Sequence, residues 1–479
     1  MSFLSFLTQY KFVIMFYLAI ILLIYFNRKK FEVQAKIIYL YKTKFGLKFM
    51  DSFANPRSEK TDGFGRFLFG ISAGLTIISG LVMLTNKMYD LFVKSNLLSE
   101  GAMLVFFMIF SASFIFLLIS IIFFKQLKSA GTVGIYVGFL GMILISVFVL
   151  KGFVDLFLKP DAPPVLSPII PGVSIPGSPI MVPFWYGIIA LFVVVLIHEF
   201  SHGILCRVHK IKVKSSGVGM MAILPLAFVE PDEESLKKSS FKAKNSMFAA
   251  GPFSNILTGI LVILILTFIL LPVTFSMAEP IEGGVRVFAL EGTPASQAGI
   301  GTRGSIIIPV DVLNKYPVSA KDSEFLEENS GKTITSLNGV PINSTKDFIT
   351  QLENVTAGDT VILANDKESF AINTINKSGK PYMGVNIVGL KIKEASNNYL
   401  FNFFKILLEL FIWIYTLSLG LGLANLLPLG ITDGGRMIHI TLEKWFGEKK
   451  AIQIFSRVTV LFFVIILVLV FVPIIKAVI

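Results

Sequence analysis

The 479 residues contain one cysteine, four histidines and three tryptophans. A single cysteine, Cys206, excludes an intramolecular disulfide framework and any dithiol redox pair, and it reads as a small buried apolar residue. Charge is scarce as well: Asp, Glu, Lys and Arg make up 15% of the chain, against 54% hydrophobic residues. Soluble domains carry roughly 45–50% apolar and about 25% charged residues. A soluble protein is therefore excluded, and an integral membrane protein is expected. The charge that is present leans basic, +12 net. That excess falls in loops between apolar runs, where it marks cytoplasmic faces and anionic lipid rather than nucleic acid.

A helix needs about 20 apolar residues to cross roughly 30 Å of hydrocarbon. Runs of this kind lie near 9–26, 65–85, 101–124, 131–151, 183–206, 246–273, 400–427 and 453–475, predicting about eight transmembrane helices in a multi-pass protein of the cell membrane. The first reads as a retained anchor. Its apolar stretch exceeds the roughly 7–15 residues of a signal-peptide core, it lacks an A-x-A site, and the basic Asn27-Arg28-Lys29-Lys30 follows it. The loop 27–64 is dense in lysine and arginine, whereas 153–182 holds Lys159 alone. Counted forward, this asymmetry places 207–244 and 436–450 in the cytoplasm, and 280–395 and both chain ends outside. The proline-dense 152–182 reads as an extended external connector, because proline neither continues helices nor donates to ladders.

Two of the four histidines sit where charge is most expensive, in the apolar run Val193–Cys206, within HEFSH (198–202). Four residues apart on a helix, His198 and His202 share one face and their ring nitrogens can converge on one ion. Glu199 beside them is placed to act as a general base on an attacking water. Ionisable groups inside a span are by default a functional signal. Catalytic zinc usually takes three protein ligands, so a third is required. His209 lies in a basic segment and His439 in an amphipathic stretch, and both read as solvated or interfacial. Asp433 in NLLPLGITDGG (425–435) is the better candidate, since Pro428 breaks the preceding helix at the depth expected for His198 and leaves irregular backbone to aim a carboxylate.

These two motifs resemble the site-2 protease family of intramembrane zinc metalloproteases. Besides HEFSH, the residues Asn425, Pro428, Asp433 and Gly434 fall on that family's N-x-x-P-x-x-x-x-D-G pattern, with Thr432 where many members carry leucine. The resemblance covers the chain from about 183 onward, apart from the external insert. It implies Zn2+ held by His198, His202 and Asp433, Glu199 as catalytic base, and Asn425 binding the substrate backbone or the developing oxyanion. It further implies that 217–231 is a re-entrant β-loop and that AAGPFSNIL (249–257) opens the next core helix, with Gly251, Pro252 and Asn255 matched. The helices in 1–151 lie outside the shared core and carry no recognised motif.

From Ala278 to about Ala395 the composition turns polar, with short alternating runs and turn signals. EGTPASQAGI, then ITSLNGVPINSTKDFITQL, resembles a PDZ domain of the bacterial protease type. An Asn338-Gly339 turn is expected to join two strands, and Ser344 or Thr345 to cap a helix. About thirty residues between Gly304 and Ile334 exceed that pattern. PDZ folds take a peptide as an added strand.

The expected organisation is a four-helix membrane region (1–151), the connector (152–182), two parts of a catalytic membrane core (183–277 and 396–479) and one extracytoplasmic PDZ-like β-rich domain (278–395). The expected activity is zinc-dependent hydrolysis of peptide bonds within or near transmembrane segments, with the metal site near the cytoplasmic side. Single-span membrane proteins would be substrates, and a peptide would be the PDZ ligand. Two other readings are a metal transporter or channel, which needs a further string of polar residues across the bilayer, and an inactive peptide-binding adaptor, which needs a lost ligand or a lost Glu199.

Overall fold

The structure is a computed structural model describing residues 11–34, 38–54, 59–93, 100–123, 125–159, 164–173, 175, 178, 180–221, 224–280, 284–290, 293–300, 332–377, 380–388, 390–392 and 398–478. Among the described residues, seven helices are long and apolar enough to cross a membrane: Gly63–Asn86, Val105–Ile122, Leu127–Leu158, Phe184–Val208, Phe241–Thr274, Tyr399–Ala424 and Glu448–Lys476. The first expected span appears as the shorter apolar helix Lys11–Phe26 of 16 residues, which rises about 24 Å. The protein is thus a polytopic membrane protein with small antiparallel sheets. Its chain forms two compact units, one of 1–153, 183–264 and 411–472, the other of 154–182, 265–410 and 473–479.

In the first unit the helix Leu127–Leu158 displays the logic of a membrane bundle. Tyr136, Leu140, Ile143 and Val147 are exposed on one side, whereas Gly131, Gly134, Gly138 and Gly141 are buried on the other. Without a side chain at those four positions, neighbours approach closely: Leu205 and Ser246 at Gly131, Phe253 at Gly134, Met437 at Gly138 and Leu426 at Gly141. Small residues at helical spacing are how membrane helices gain contact when hydrophobicity gives no preference for protein over lipid. This helix from the N-terminal region therefore braces three segments that carry or flank the HEFSH and Asp433 motifs, a role the sequence reading left unassigned. It also runs beyond the expected end at 151, to Leu158, because nothing breaks it before Pro160.

The expected β-loop is a hairpin of β3 (Val213–Met221) and β4 (Leu224–Pro231), starting before residue 217. It does not stand alone. The basic loop after the first helix contains β1 (Glu32–Gln34) and β2 (Ile38–Thr43), and the four strands form one antiparallel sheet in the order β1-β2-β3-β4. β2 pairs with β3 from Ile38↔Met221 to Thr43↔Ser216. Lys42 joins the halves electrostatically, reaching Glu32 at 2.8 Å and Glu230 at 3.0 Å, and Ser215 donates to Glu230 at 2.6 Å. The Ser215 hydroxyl, and after it the Lys42 ammonium, hold the Glu230 carboxyl below the usual range. β4 remains an edge strand.

The polar part of the second unit includes β6 (Val285–Ala289), β8 (Ser336–Leu337), β10 (Thr360–Ala364) and β11 (Ser369–Asn373) around a core containing Val285, Val287, Ile334, Leu337, Phe348, Val361, Leu363 and Ile372. As expected, Asn338 and Gly339 turn the chain between β8 and β9 (Val340–Pro341), with φ +50° and +80°. Ser344 rather than Thr345 caps the helix Thr345–Leu352, accepting from the Asp347 amide at 3.2 Å. Most of the long stretch between Gly304 and Ile334 lies outside the described residues.

A Cβ at Gly217 in β3 would strike the Tyr41 carbonyl across the ladder and lie 2.9 Å from the Phe228 ring. Gly217→Val is expected to loosen β2 from β3 and to destabilise the sheet by about 1–3 kcal/mol. Hydrogen exchange should show lost amide protection in 38–43, while the long helices stay protected.

Candidate metal centre

The helix Phe184–Val208 begins after Pro183, whose fixed φ of -60° suits a helix start, and ends before Lys210, which takes φ +61°. His198 and His202 stack one turn apart on its inner face, 5% and 8% exposed, with ring centroids 4.8 Å apart. The third group arrives from a separate segment. Asn425 ends one helical stretch; Pro428 and the turn that follows lead to Thr432, which caps the helix Asp433–Phe446 and accepts from the Gly435 amide at 3.2 Å. The Gly434 amide donates back to the Asn425 carbonyl at 2.8 Å. A Cβ at either Gly434 or Gly435 would collide with the Leu426 or Leu429 backbone. The glycines after the aspartate thus let this turn close, and Thr432, a departure from the family's leucine, has a structural duty as the cap.

The turn delivers Asp433 Oδ2 to 3.0 Å from His198 Nε2 and 3.3 Å from His202 Nε2. One ligand atom from each of the three residues lies within 4.8 Å of the others. Zinc ligands at 2.0–2.1 Å in a tetrahedron stand about 3.4 Å apart, so these spacings and the N,N,O donor set fit a zinc ion. Gly251, on the neighbouring helix Phe241–Ile265, makes the room: a Cβ there would come within 2.5 Å of His198 Nε2 and closer still to His202 Nε2.

The outer ring nitrogens are also engaged. His202 Nδ1 lies 2.7 Å from the Met247 carbonyl, which accepts a hydrogen bond from Nδ1–H and so fixes the tautomer that leaves Nε2 free to bind a metal. His198 Nδ1 lies 3.1 Å from Asn255 Nδ2, and Asn255 Oδ1, fully buried, has no hydrogen-bond partner among the described residues. Turning this carboxamide over would let Oδ1 accept from Nδ1–H and give His198 the same ligating tautomer as His202. Sequence reasoning matched Asn255 to a motif but gave it no task. Its position four residues after Gly251 was the available signal, since it puts both on one face of their helix.

Glu199 is half-buried beside the pair, and its Oε2 accepts from the Val229 amide of β4 at 3.1 Å. A cavity of about 890 Å³ is lined by His198, Glu199, His202, Asn425, Asp433 and the β4 residues Leu226 to Pro231. The predicted site residues therefore come together at one cavity. The other two histidines stay out. His209 contacts Ser246 Oγ at 3.1 Å, and burial followed by the Lys128 and Lys242 ammonium groups holds its pKa below the ordinary imidazole value. His439 packs on the Phe455 ring, centroids 5.0 Å apart.

Removing the carboxamide tests its part. Asn255→Ala is expected to weaken zinc binding about 10–100-fold, measured by competition with a chromogenic chelator. Asn255→Asp, which can still accept from Nδ1–H, should restore most of it.

Residues 186–469 match the model of Peptidase family M50. A protein of Methanocaldococcus jannaschii, described only as uncharacterized, is 30% identical over 258 residues, or 53% of this chain and 56% of that relative. The chain thus spans little more than half the length of this curated relative. The family match runs through both motifs and across more than half of the residues: the chain belongs to peptidase family M50, the site-2 protease family.

Proposed function

We propose that this protein is an intramembrane zinc endopeptidase that cleaves single-span membrane proteins within or near their transmembrane segments. The observation that carries the reading is the meeting of His198 Nε2, His202 Nε2 and Asp433 Oδ2 on the inner face of an apolar helix, beside Glu199. In this reading His198, His202 and Asp433 hold Zn2+, Glu199 is the catalytic base, and Asn425 is a substrate-binding donor.

A bound zinc ion supplies Lewis acidity that activates water and polarises the scissile carbonyl. Glu199 takes a proton from the attacking water as its oxygen bonds to the carbonyl carbon, then gives that proton to the amide nitrogen as the C–N bond breaks. One carboxyl and one amine leave. Asn425, facing the same cavity, donates to the oxygen that gains negative charge. A transmembrane helix shields its peptide bonds, so the substrate must be extended before it is cut. β4 receives it: the Val229 amide points off the edge toward Glu199, and by the two-residue repeat the Ala227 backbone faces the same way.

The lysine and arginine asymmetry supports placing the metal centre near the cytoplasmic face and 278–395 outside. The latter segment is read as a PDZ-like domain that presents a peptide groove, supported by the Asn338-Gly339 turn, the Ser344 cap and the sheet around Phe348. The intervals 1–151, 152–182, 183–277, 278–395 and 396–479 then serve as N-terminal membrane region, connector, first catalytic part, outer domain and second catalytic part.

Glu199→Gln should abolish cleavage of a reconstituted single-span substrate while zinc, quantified by elemental analysis, stays bound. Asp433→Ala should lose both the metal and the activity. Substrate cleavage at the wild-type rate by Glu199→Gln contradicts the assigned base, and equimolar zinc in Asp433→Ala contradicts the ligand set.

A further inference from the structure

A second cavity, of about 300 Å³, shares Leu236, Phe248 and Arg436 with the cavity of the metal centre. Four basic side chains line it: Lys237 from the short helix Glu233–Lys237, Lys244 from the start of Phe241–Ile265, and Arg436 and His439 from Asp433–Phe446. The rings of Phe248 and Phe455 close its sides, and no acidic residue is among its lining. Two acids of the flanking segment are paired away from it: Glu234 with Lys238 at 2.5 Å and Asp232 with Lys214 at 3.4 Å. Cations gathered from three helices into one concavity repel one another unless an anion joins them.

Depth and donor chemistry narrow the choice of anion. Lys244 and Phe248 lie in the first two turns of one span, and Phe455 lies eight residues into another, Glu448–Val478. That is about 10 Å from a helix end, where the headgroups of a bilayer meet its hydrocarbon. Two ammonium groups approach as point charges and the guanidinium as a planar fork. A carboxylate, flat and with two oxygens, satisfies one such fork, whereas a phosphate offers acceptor oxygens in several directions and suits donors converging from three elements.

We propose that this cavity is a binding site for a phosphate group, carried by a phospholipid headgroup or by a soluble phosphate compound. The proposal stands independently of the peptidase reading. It is tested on the full-length protein, delipidated in neutral detergent. Native mass spectrometry measures retention of added phosphatidylglycerol, and a thermal-shift series measures binding of inorganic phosphate. Wild-type protein should retain phosphatidylglycerol, and Lys237→Gln/Lys244→Gln should bind it on the order of tenfold more weakly. Lys244→Met, which keeps the apolar stem, should show a smaller loss in the same direction. Lys212→Gln/Lys242→Gln, removing two lysines of the same basic segment that do not line the cavity, should bind like wild type. If inorganic phosphate stabilises wild type and displaces the lipid, a soluble phosphate compound is the source; if only the lipid binds, a headgroup is. Equal losses in the two double variants would reduce the effect to general basicity and overturn the site, as would failure of wild type to bind either probe.

Discussion

The metal centre depends on making two imidazoles and a carboxylate tolerable inside an apolar bundle. A buried polar group left without a partner costs about 1–3 kcal/mol, and HEFSH introduces several at once. They are answered from two neighbouring segments: on the helix Phe241–Ile265, Met247 takes His202 Nδ1 and Asn255 takes His198 Nδ1, while Asp433 takes both Nε2 atoms. The two rings share one carboxylate oxygen, Oδ2. The network therefore converges on a single point, the point where a cation would serve all three groups better than they serve one another.

That convergence needs backbones closer together than side chains ordinarily permit. Gly251 lets the helix Phe241–Ile265 press against both Nε2 atoms, while Gly434 and Gly435 let the turn around Asn425 and Pro428 fold under Asp433. From the other side, the glycine stripe of Leu127–Leu158 accepts Phe253, Met437 and Leu426. Phe253 lies two residues from Asn255, and Leu426 directly follows Asn425. The brace thus packs on the very segments that carry the site, which explains why a helix without catalytic groups belongs to its architecture.

Much of this was legible in the sequence. Scarce charge and long apolar runs announced the bundle, and HEFSH and the Asp433 motif named the three groups that meet, because expensive residues inside apolar runs have few uses. The Asn338-Gly339 turn and the Ser344 cap were local rules and held locally. What escaped was non-local. The spacing of Gly131, Gly134, Gly138 and Gly141 is visible in AGTVGIYVGFLG, but which neighbours it accepts depends on tertiary packing. β1 and β2 hid in a segment read for its lysines, since strands this short show little alternation and the partner that ties them into the sheet, β3 against β2, lies more than 160 residues away. Asn255 could be matched but not assigned, for the hydrogen bond that gives it meaning crosses between helices.

The added hairpin changes which edges of the sheet are open. A two-stranded hairpin presents two open edges, and an extended peptide could join either. With β2 covering β3 from Ser216 to Met221 and the Lys42 pairs fastening it to Glu32 and Glu230, that stretch of β3 has no free edge left. The opposite edge, β4, is the one that carries the Val229 amide against Glu199. On the proposed reading, strand addition beside β3 is thereby blocked, and a peptide added at β4 lies on the side where the base stands. On that reading an arriving peptide would compete with Glu199 for the Val229 amide, so the contact that seats the substrate would also free the carboxylate to work on it.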